Sequence, residues 1–368
     1  MDFEQFKEVV KDSIKEYLPE SYEKAEVELK DVIKNNDTHL TGLTIKEADT
    51  RIAPTVYLED YFKAYEDGRG MDEILTNMAA LYDEAAKDGL DFDTEALVNN
   101  ITDYESTKEK IVPRVVNKEG NAERLKGMPY TEMGDLAVTY HVDLGGSDNG
   151  NMSIAVSNEM LDKYGVSVSE LHDQACKNME EISPANFKTM IDTLAELMIP
   201  GYEDMTPDEQ AEARSDFDMP DPGMYVLSND SKAFGAVAIL DSETMDTIRN
   251  DVGDFYILPS SVHEVLIVPK REGIELSDLE AMVKEVNATQ VAPNEVLSDH
   301  VYEYDPETKE IFRSDKAAEH QKEKSENKEK TEKRPSLKEK LNEKKKEAAS
   351  LKKEEKTHER NKDISGRE

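Results

Sequence analysis

Residues 136–144 read LAVTYHVDL. Leu136, Val138, Tyr140, Val142 and Leu144 fall on one side of an extended chain, and Ala137, Thr139, His141 and Asp143 on the other. Side chains of a strand alternate between faces, so this strict period of two predicts a strand with an apolar face and a polar one. His141 and Asp143 would share the solvent face, where a surface ion pair is the expected arrangement. GGSDNGN then predicts a turn and MSIAV a partner strand, which makes the pairing antiparallel.

Outward from this hairpin the signals alternate between helix and strand in blocks. Upstream, Asp2 can cap a helix whose stripe is Phe3, Phe6, Val10, Ile14 and Tyr17, and Pro19 stops it. Val27 and Leu29 alternate with charged residues. Residues 35–37, NND, suit a turn, and HLTGLTI a second strand. Residues 57–88 are helical in pattern, broken at Gly68 and Gly70. A further helix is expected over 93–109, and a strand at 111–116.

Downstream, SNEMLDKYG ends on Gly165. Ser167 with Glu170 forms a capping box that opens a helix with the stripe Val168, Leu171, Ala175, Met179 and Ile182. A helix is expected over 186–198, then an acidic loop insertion near 199–222. MYVLSN and AFGAVAIL read as strands, SETMDTIRNDVG as a helix, DFYILP and HEVLIVP as strands, and SDLEAMVKEVNA as a helix with a second capping box, Ser277 with Glu280. Two strands per helix do not make a doubly wound sheet. The order predicts an α+β fold with mixed or mainly antiparallel sheets packed with helices.

Charge divides the chain. Before Asp315 stand 28 basic and 68 acidic residues; from Asp315 onward, 18 and 14. An acidic α+β body, 1–314, is therefore expected, with a subdivision into 1–130 and 131–314, followed by a Lys/Glu-rich tail, 315–368. The tail has the composition of a disordered or partly helical segment. Within it, 336–356 is a candidate helix whose thin seam, Leu337, Leu341 and Leu351, would bury itself only on a partner, in the manner of a coiled coil.

The acidity of the body excludes direct nucleic-acid binding, which requires cations to displace counterions, and disfavours anionic membranes. No stretch reaches 18 apolar residues, so no membrane span is expected. The single cysteine, Cys176, permits no internal disulfide and suits a reducing compartment, and the acidic amphipathic N-terminus does not suit a signal peptide. A cytoplasmic location follows as the expectation.

Residues 258–269, LPSSVHEVLIVP, hold the densest cluster of chemical groups: Ser260, Ser261, His263 and Glu264 before a buried strand. His263 and Glu264 are neighbours and point to opposite faces, which opposes a Ser–His–acid unit built from them. The serines lead into a strand, unlike a nucleophile elbow, and position 267 is Ile, where an H-E-x-x-H zinc motif needs His. The polar residues are expected to satisfy the turn, with a hydrolase using Ser261, His263 and Glu264 as the alternative. Asn229 and Asp230, in SNDSKAFGA at 228–236, suit a turn and are the candidate ligand-binding residues. The seven histidines show no metal-ligand spacing, no phosphate-binding glycine loop is present, and neither a metal nor a cofactor is expected. Cys176 reads as a small core or boundary residue.

In YLEDYFKAYEDG, VSVSELHDQACKNM, MYVLSNDSKAFGAVAIL and DFYILPSSVHEVLIVP, the chain resembles an uncharacterised Firmicutes family, domain of unknown function 5688, over about residues 1–314. The resemblance implies a family-wide fold and a mobile-element setting. It carries over no activity and no site residues. The functional expectation is a non-enzymatic module that binds a protein partner through its acidic body and through Leu337, Leu341 and Leu351. An acidic decoy that imitates DNA and occupies a DNA-binding protein is a second form of the same idea.

Overall fold

The computed structural model describes residues 1–46, 53–88, 100–147, 150–216 and 223–332. The chain divides after Ser314 into two units, Met1–Ser314 and Asp315–Glu368. The first is α+β, with antiparallel sheets covered by helices.

Helix α1 (Phe3–Ser13) opens on a capping box between Asp2 and Gln5 and buries Phe6 and Val10. β1 (Glu26–Ile33) and β2 (His39–Lys46) form a hairpin with Glu26 opposite Lys46, and β3 (Val56–Tyr57) adds to β2. α2 (Glu59–Glu66) and α3 (Met71–Asp88) follow, separated at Gly68, which takes φ 97. These helices and α1 bury Leu43, Ile45, Leu58, Met78 and Tyr82 between them and the sheet. The Tyr82 hydroxyl donates to the Ile45 carbonyl (2.6 Å) and accepts from its N–H (2.9 Å), so its burial leaves no polar atom unpaired.

Of the helix expected over 93–109, residues 93–99 lie outside the described residues. The remainder is a single turn, α4 (Tyr104–Thr107), and a 3-10 turn. β4 (Ile111–Asn117), β5 (Tyr130–Met133), β6 (Leu136–Ser147) and β7 (Gly150–Ala155) make the second sheet. β6 is its axis, with β4 along one edge and β5 and β7 in succession along the other. The pairing of β4 with β6 joins chain on either side of residue 130. α5 (Asn158–Tyr164) and α6 (Val168–Ile182) follow, and the Ser167–Glu170 capping box forms as expected.

The period of two in β6 is present, but its second face is not a solvent face. Leu136, Val138, Tyr140 and Val142 pack towards α6, while Ala137 and Thr139 are also fully buried and His141 is only 4% exposed. The expected surface pair of His141 and Asp143 is thus corrected. The polar face is covered by the 3-10 turn Arg124–Gly127, whose Leu125 packs on Val116 and Ala137. Burial, with Arg114 and Arg124 adding to it, holds the His141 imidazole well below its ordinary value of 6.5. The unfolded chain therefore binds one more proton below pH 6.5, so stability rises with pH there and is lost on acidification. Each pH unit below that value is expected to cost about 1.4 kcal/mol through this group. Urea unfolding at pH 7 and pH 5.5 checks it: His141→Gln should show a shallower loss than wild type, and equal losses would refute the assignment.

The third sheet contains β8 (Ala185–Thr189), β9 (Tyr225–Asn229), β10 (Phe255–Leu258), β11 (Val265–Pro269), β12 (Tyr302–Asp305) and β13 (Glu310–Arg313). Its order is β13-β12-β10-β11-β9-β8, antiparallel throughout. α7 (Met190–Met198) and α8 (Pro207–Asp216) fall between β8 and β9, α9 (Ser242–Val252) before β10, and α10 (Leu276–Thr289) after β11. In the loop insertion near 199–222, residues 217–222 lie outside the described residues. The described part is pinned through Asp192, which accepts from the Tyr202 hydroxyl (2.8 Å) and from Arg214 (2.5 Å).

Three expectations change here. Residues 185–189 are a strand, and the helix starts only after Thr189, whose hydroxyl caps it. Residues 235–240 are a 3-10 helix, not a strand. Ala236, Val237, Ala238 and Ile239 are all buried, and a run buried on every side has the same pattern in either conformation. The Ser277–Glu280 capping box does not form, because α10 begins at Leu276 with Glu275 before it. The hairpin of β12 and β13 was not anticipated: YEYD and EIFR are short and charged, and the turn between them uses Lys309 at φ 62.

In the second unit α11 (Ala317–Glu332) is a polar helix. The candidate helix 336–356, with Leu337, Leu341 and Leu351, lies outside the described residues. Among the described residues no helix is long and apolar enough to cross a membrane.

Candidate functional site

The two polar stretches singled out in the sequence come together. β9 and β11 pair with Leu227 opposite Val265, so the segment leaving β9 and the turn entering β11 share one end of the sheet. The segment after Asn229 takes left-handed conformations at Lys232 (φ 54) and Phe234 (φ 55), which is uncommon for side chains of this size. Asn229 holds it. Its amide donates to the Ala233 carbonyl (2.9 Å) and the Ser183 hydroxyl (2.6 Å), and its oxygen accepts from the Ala233 N–H (3.2 Å) and the Ser231 hydroxyl (3.1 Å). Both polar ends of Asn229 are thus engaged within the fold. Asp230 is exposed and accepts from Asn186 (2.9 Å).

On the other side of the junction, Ser261 bridges to Val296, and its hydroxyl accepts from the backbone N–H of His263 (3.0 Å). His263 Nδ1 accepts from the Phe234 N–H (3.3 Å), which places the ring proton on Nε2, 3.5 Å from Glu295 Oε1. In this arrangement neither ring nitrogen has a free lone pair, and no hydrogen bond joins the ring to Ser261. Ser228 donates to the His263 carbonyl (2.8 Å), locking the two segments together. Glu264 is half-buried; burial raises its pKa, His263 opposes the rise and Glu295 adds to it. Phe234 stands at the centre. The His263 ring lies 5.5 Å from it and the Arg114 guanidinium, from β4, 3.6 Å from its centroid. Nothing local in the sequence marks Arg114, 120 positions from Phe234, as its neighbour. The cluster can hold an irregular backbone in one conformation; the geometry brings Ser261, His263 and Glu264 close in space without forming a proton relay among them.

A second chain of polar contacts is marked in the sequence only by the one-turn spacing of His172 and Cys176. Cys176 Sγ lies 3.6 Å from His172 Nε2, one helical turn away on α6. His172 Nδ1 meets the Tyr140 hydroxyl (3.1 Å), and that hydroxyl meets Thr131 (2.5 Å). Burial pushes the thiol up to about 11 and Tyr140 up to about 12, and pulls His172 down, so the chain of groups is neutral. Such a thiol carries little thiolate at neutral pH. Among the described residues no group of three or more His, Cys, Asp or Glu is placed to hold a metal ion.

No curated protein and no solved structure matches the chain. A family model does. Residues 3–306, from the first turn of α1 to β12, match the family described as "Family of unknown function (DUF5688)", in agreement with the resemblance seen in the sequence, and the chain belongs to that family.

Proposed function

We propose that the chain is a non-enzymatic, cytoplasmic protein-interaction module, acting in the mobile-element setting that the resemblance implies, and that its acidic body receives a cationic amphipathic helix of a protein partner. The observation that carries this reading is the end of α7. Leu197 is 74% exposed and Met198 57%, the two most exposed large apolar side chains among the described residues. Only Ala195 of that helix is buried. Scattered apolar residues on a surface are ordinary, but two adjacent ones at a helix end with little core contact form a docking point.

The frame around this tip is acidic. Residues 190–216 hold eight Asp and Glu and one basic residue, Arg214. Asp192 is paired with Arg214, and Glu196 with Lys188 and Lys232. Glu203 also pairs with Lys188 and Lys232, and Asp204, Asp208 and Glu212 remain exposed. Apolar contact at the centre and carboxylates at the rim suit a helix with a Leu face and Lys flanks.

The test uses a fluorescein-labelled synthetic Lys/Leu amphipathic helical peptide and measures anisotropy. Binding should weaken about tenfold between roughly 50 and 500 mM salt, because rim charges are screened. The double substitution Leu197→Asp with Met198→Asp should weaken it at least about tenfold, equivalent to about 1.4 kcal/mol, while Leu81→Asp should not. Equal affinity in the double variant, or affinity indifferent to salt, would remove the reading.

A further inference from the structure

A second, half-buried feature runs against the charge of the whole body and is independent of the docking reading. Arg114 sits on β4 opposite Thr139 of β6, and strand alternation puts both on the face that carries Val116, Ala137 and His141. Arg124 begins the 3-10 turn that covers this same face. Ser153, on β7 opposite Asp143, borders it. Two guanidiniums and a neutral imidazole are thereby gathered on one part of a sheet, in a body where acidic residues outnumber basic ones 68 to 28.

Neither guanidinium makes an ion pair among the described residues, although Asp143 favours the charge of Arg114 and Asp37 that of Arg124. Arg114 donates to the Ser153 hydroxyl (2.7 Å) and lies over the Phe234 ring. Among the described residues, no carboxylate is within ion-pair distance of Arg114 or Arg124. Asp143 and Asp37 act on them only from farther away. Asp37 is itself engaged: its oxygens accept from the backbone N–H groups of Glu123 (2.7 Å) and Arg124 (3.0 Å). Both arginines are half-buried, close enough to repel each other, and both act on His141. Burial first, and Arg124 second, push Arg114 down to about 10. Each guanidinium offers five donors in a planar fork that matches a tetrahedral oxyanion, and most of these donors are unused. The net negative charge of the body does not decide the matter. Carboxylates beyond about 8 Å are screened at physiological salt, so the local potential is set by the two guanidiniums together with the nearer Asp143 and Asp37, whose attraction an incoming anion has to compete with.

We infer that Arg114, Arg124 and the Ser153 hydroxyl form a binding site for a small dianionic oxyanion of the phosphate class, either free phosphate or the phosphoryl group of a small monoester. The Arg114 fork, held in orientation by Phe234, and the Arg124 fork contact its oxygens. Ser153 turns its hydroxyl from accepting the Arg114 proton alone to donating to the anion as well. Thr139 and His141 form the neutral floor.

Calorimetric titration of the full chain at constant ionic strength tests this, with inorganic phosphate and phenyl phosphate as separate arms and chloride as the reference. Saturable 1:1 binding is expected in at least one arm, with a dissociation constant on the order of 1 mM or tighter. The arm that binds more tightly identifies the source of the phosphoryl group. Arg124→Met should weaken it at least tenfold, and Arg249→Met, which removes a surface arginine paired with Asp254, should leave it unchanged. Without phosphate, Arg124→Met should melt no lower than wild type, since it removes a repulsion. No binding in either arm, equal binding in Arg124→Met, or a phosphate-free Arg124→Met that melts well below wild type would overturn the inference. The last result is the signature of an arginine already compensated inside the fold.

Discussion

Gly235→Ala is expected to destabilise the body by about 3 kcal/mol, at the upper end of the cost of overfilling a packed site. A Cβ at this position would lie 2.2 Å from Ser228 Oγ, 2.6 Å from the Asn229 nitrogen and 2.6 Å from the His263 carbonyl oxygen. Two of these three atoms are backbone. They are fixed by the end of β9 and by the turn into β11, so they cannot rotate away as a long side chain would. Removing the hydroxyl does not rescue the change: Ser228→Ala with Gly235→Ala relieves one contact and leaves two. The loss should appear as a fall of roughly 5–10 °C in the melting temperature. A variant melting within about 2 °C of wild type would show that the junction yields easily and that the account of Phe234 as a clamped centre is mistaken.

Asn36→Ala is expected to cost a comparable amount, about 3 kcal/mol, from one surface turn. Asn36 lies between β1 and β2 in the left-handed region (φ 55, ψ 42), which Asn tolerates better than Ala. Its amide donates to the carbonyls of Pro293 (2.8 Å) and Val296 (2.7 Å). It also exchanges hydrogen bonds with Asn121: the Asn36 N–H donates to Asn121 Oδ1, and Asn121 Nδ2 donates to Asn36 Oδ1, both at 3.0 Å. Asn35 adds a bond to the Asn294 carbonyl (2.7 Å) and Asn117 one to the Leu297 carbonyl (2.9 Å). Three asparagines, two from the β1–β2 turn and one from β4, thus hold the loop that precedes β12, and Asn121 braces two of them. Alanine at 36 leaves the Pro293 and Val296 carbonyls without that donor and takes one of three hydrogen bonds from the fully buried Asn121, which keeps the Asn117 carbonyl (2.8 Å) and the backbone N–H of residue 36. Urea unfolding measures the loss. Asn36→Gly, which relieves the backbone strain and not the lost bonds, separates the two contributions. If Asn36→Gly is as stable as wild type, the hydrogen bonds count for little and this account of the loop fails.

These two sites show different limits of sequence reading. The NND turn was legible, because Asn and Asp favour turns and left-handed conformations locally. Its role as a connector was not, since Pro293 and Val296 stand some 260 positions away and no local rule pairs them. SNDSKAFGA is legible as a turn between regular elements, through Asn229 and Asp230, whereas the close approach of backbone to Gly235 is not. AFGAVAIL reads as a strand but forms a 3-10 helix from Gly235. Its apolar run records burial, and burial by packing on the sheet is the same for a 3-10 helix as for a strand. His141 was misplaced for a related reason. Alternation in β6 distinguishes the two faces but not what covers them, and Leu125 covers the second face from a turn that has no pattern of its own. Arg114 and Arg124, ten residues apart in sequence, carry no motif; only the sheet register and the overlying turn bring their charges together.

By itself the sequence determined the α+β class, the hairpins of the first two sheets, the capped starts of α1 and α6, the charge division at Ser314 and the family. These follow from periodicity, capping and composition, which act within one or two turns of chain and need no knowledge of distant residues. The tertiary structure alone decided that His263 spends its ring on Phe234 and Glu295, that three asparagines hold the loop before β12 with a fourth bracing them, and that two arginines meet at one face without an ion pair among the described residues. Those outcomes depend on contacts between segments far apart in the chain, and such contacts exist only once folding has excluded water and fixed which surfaces meet.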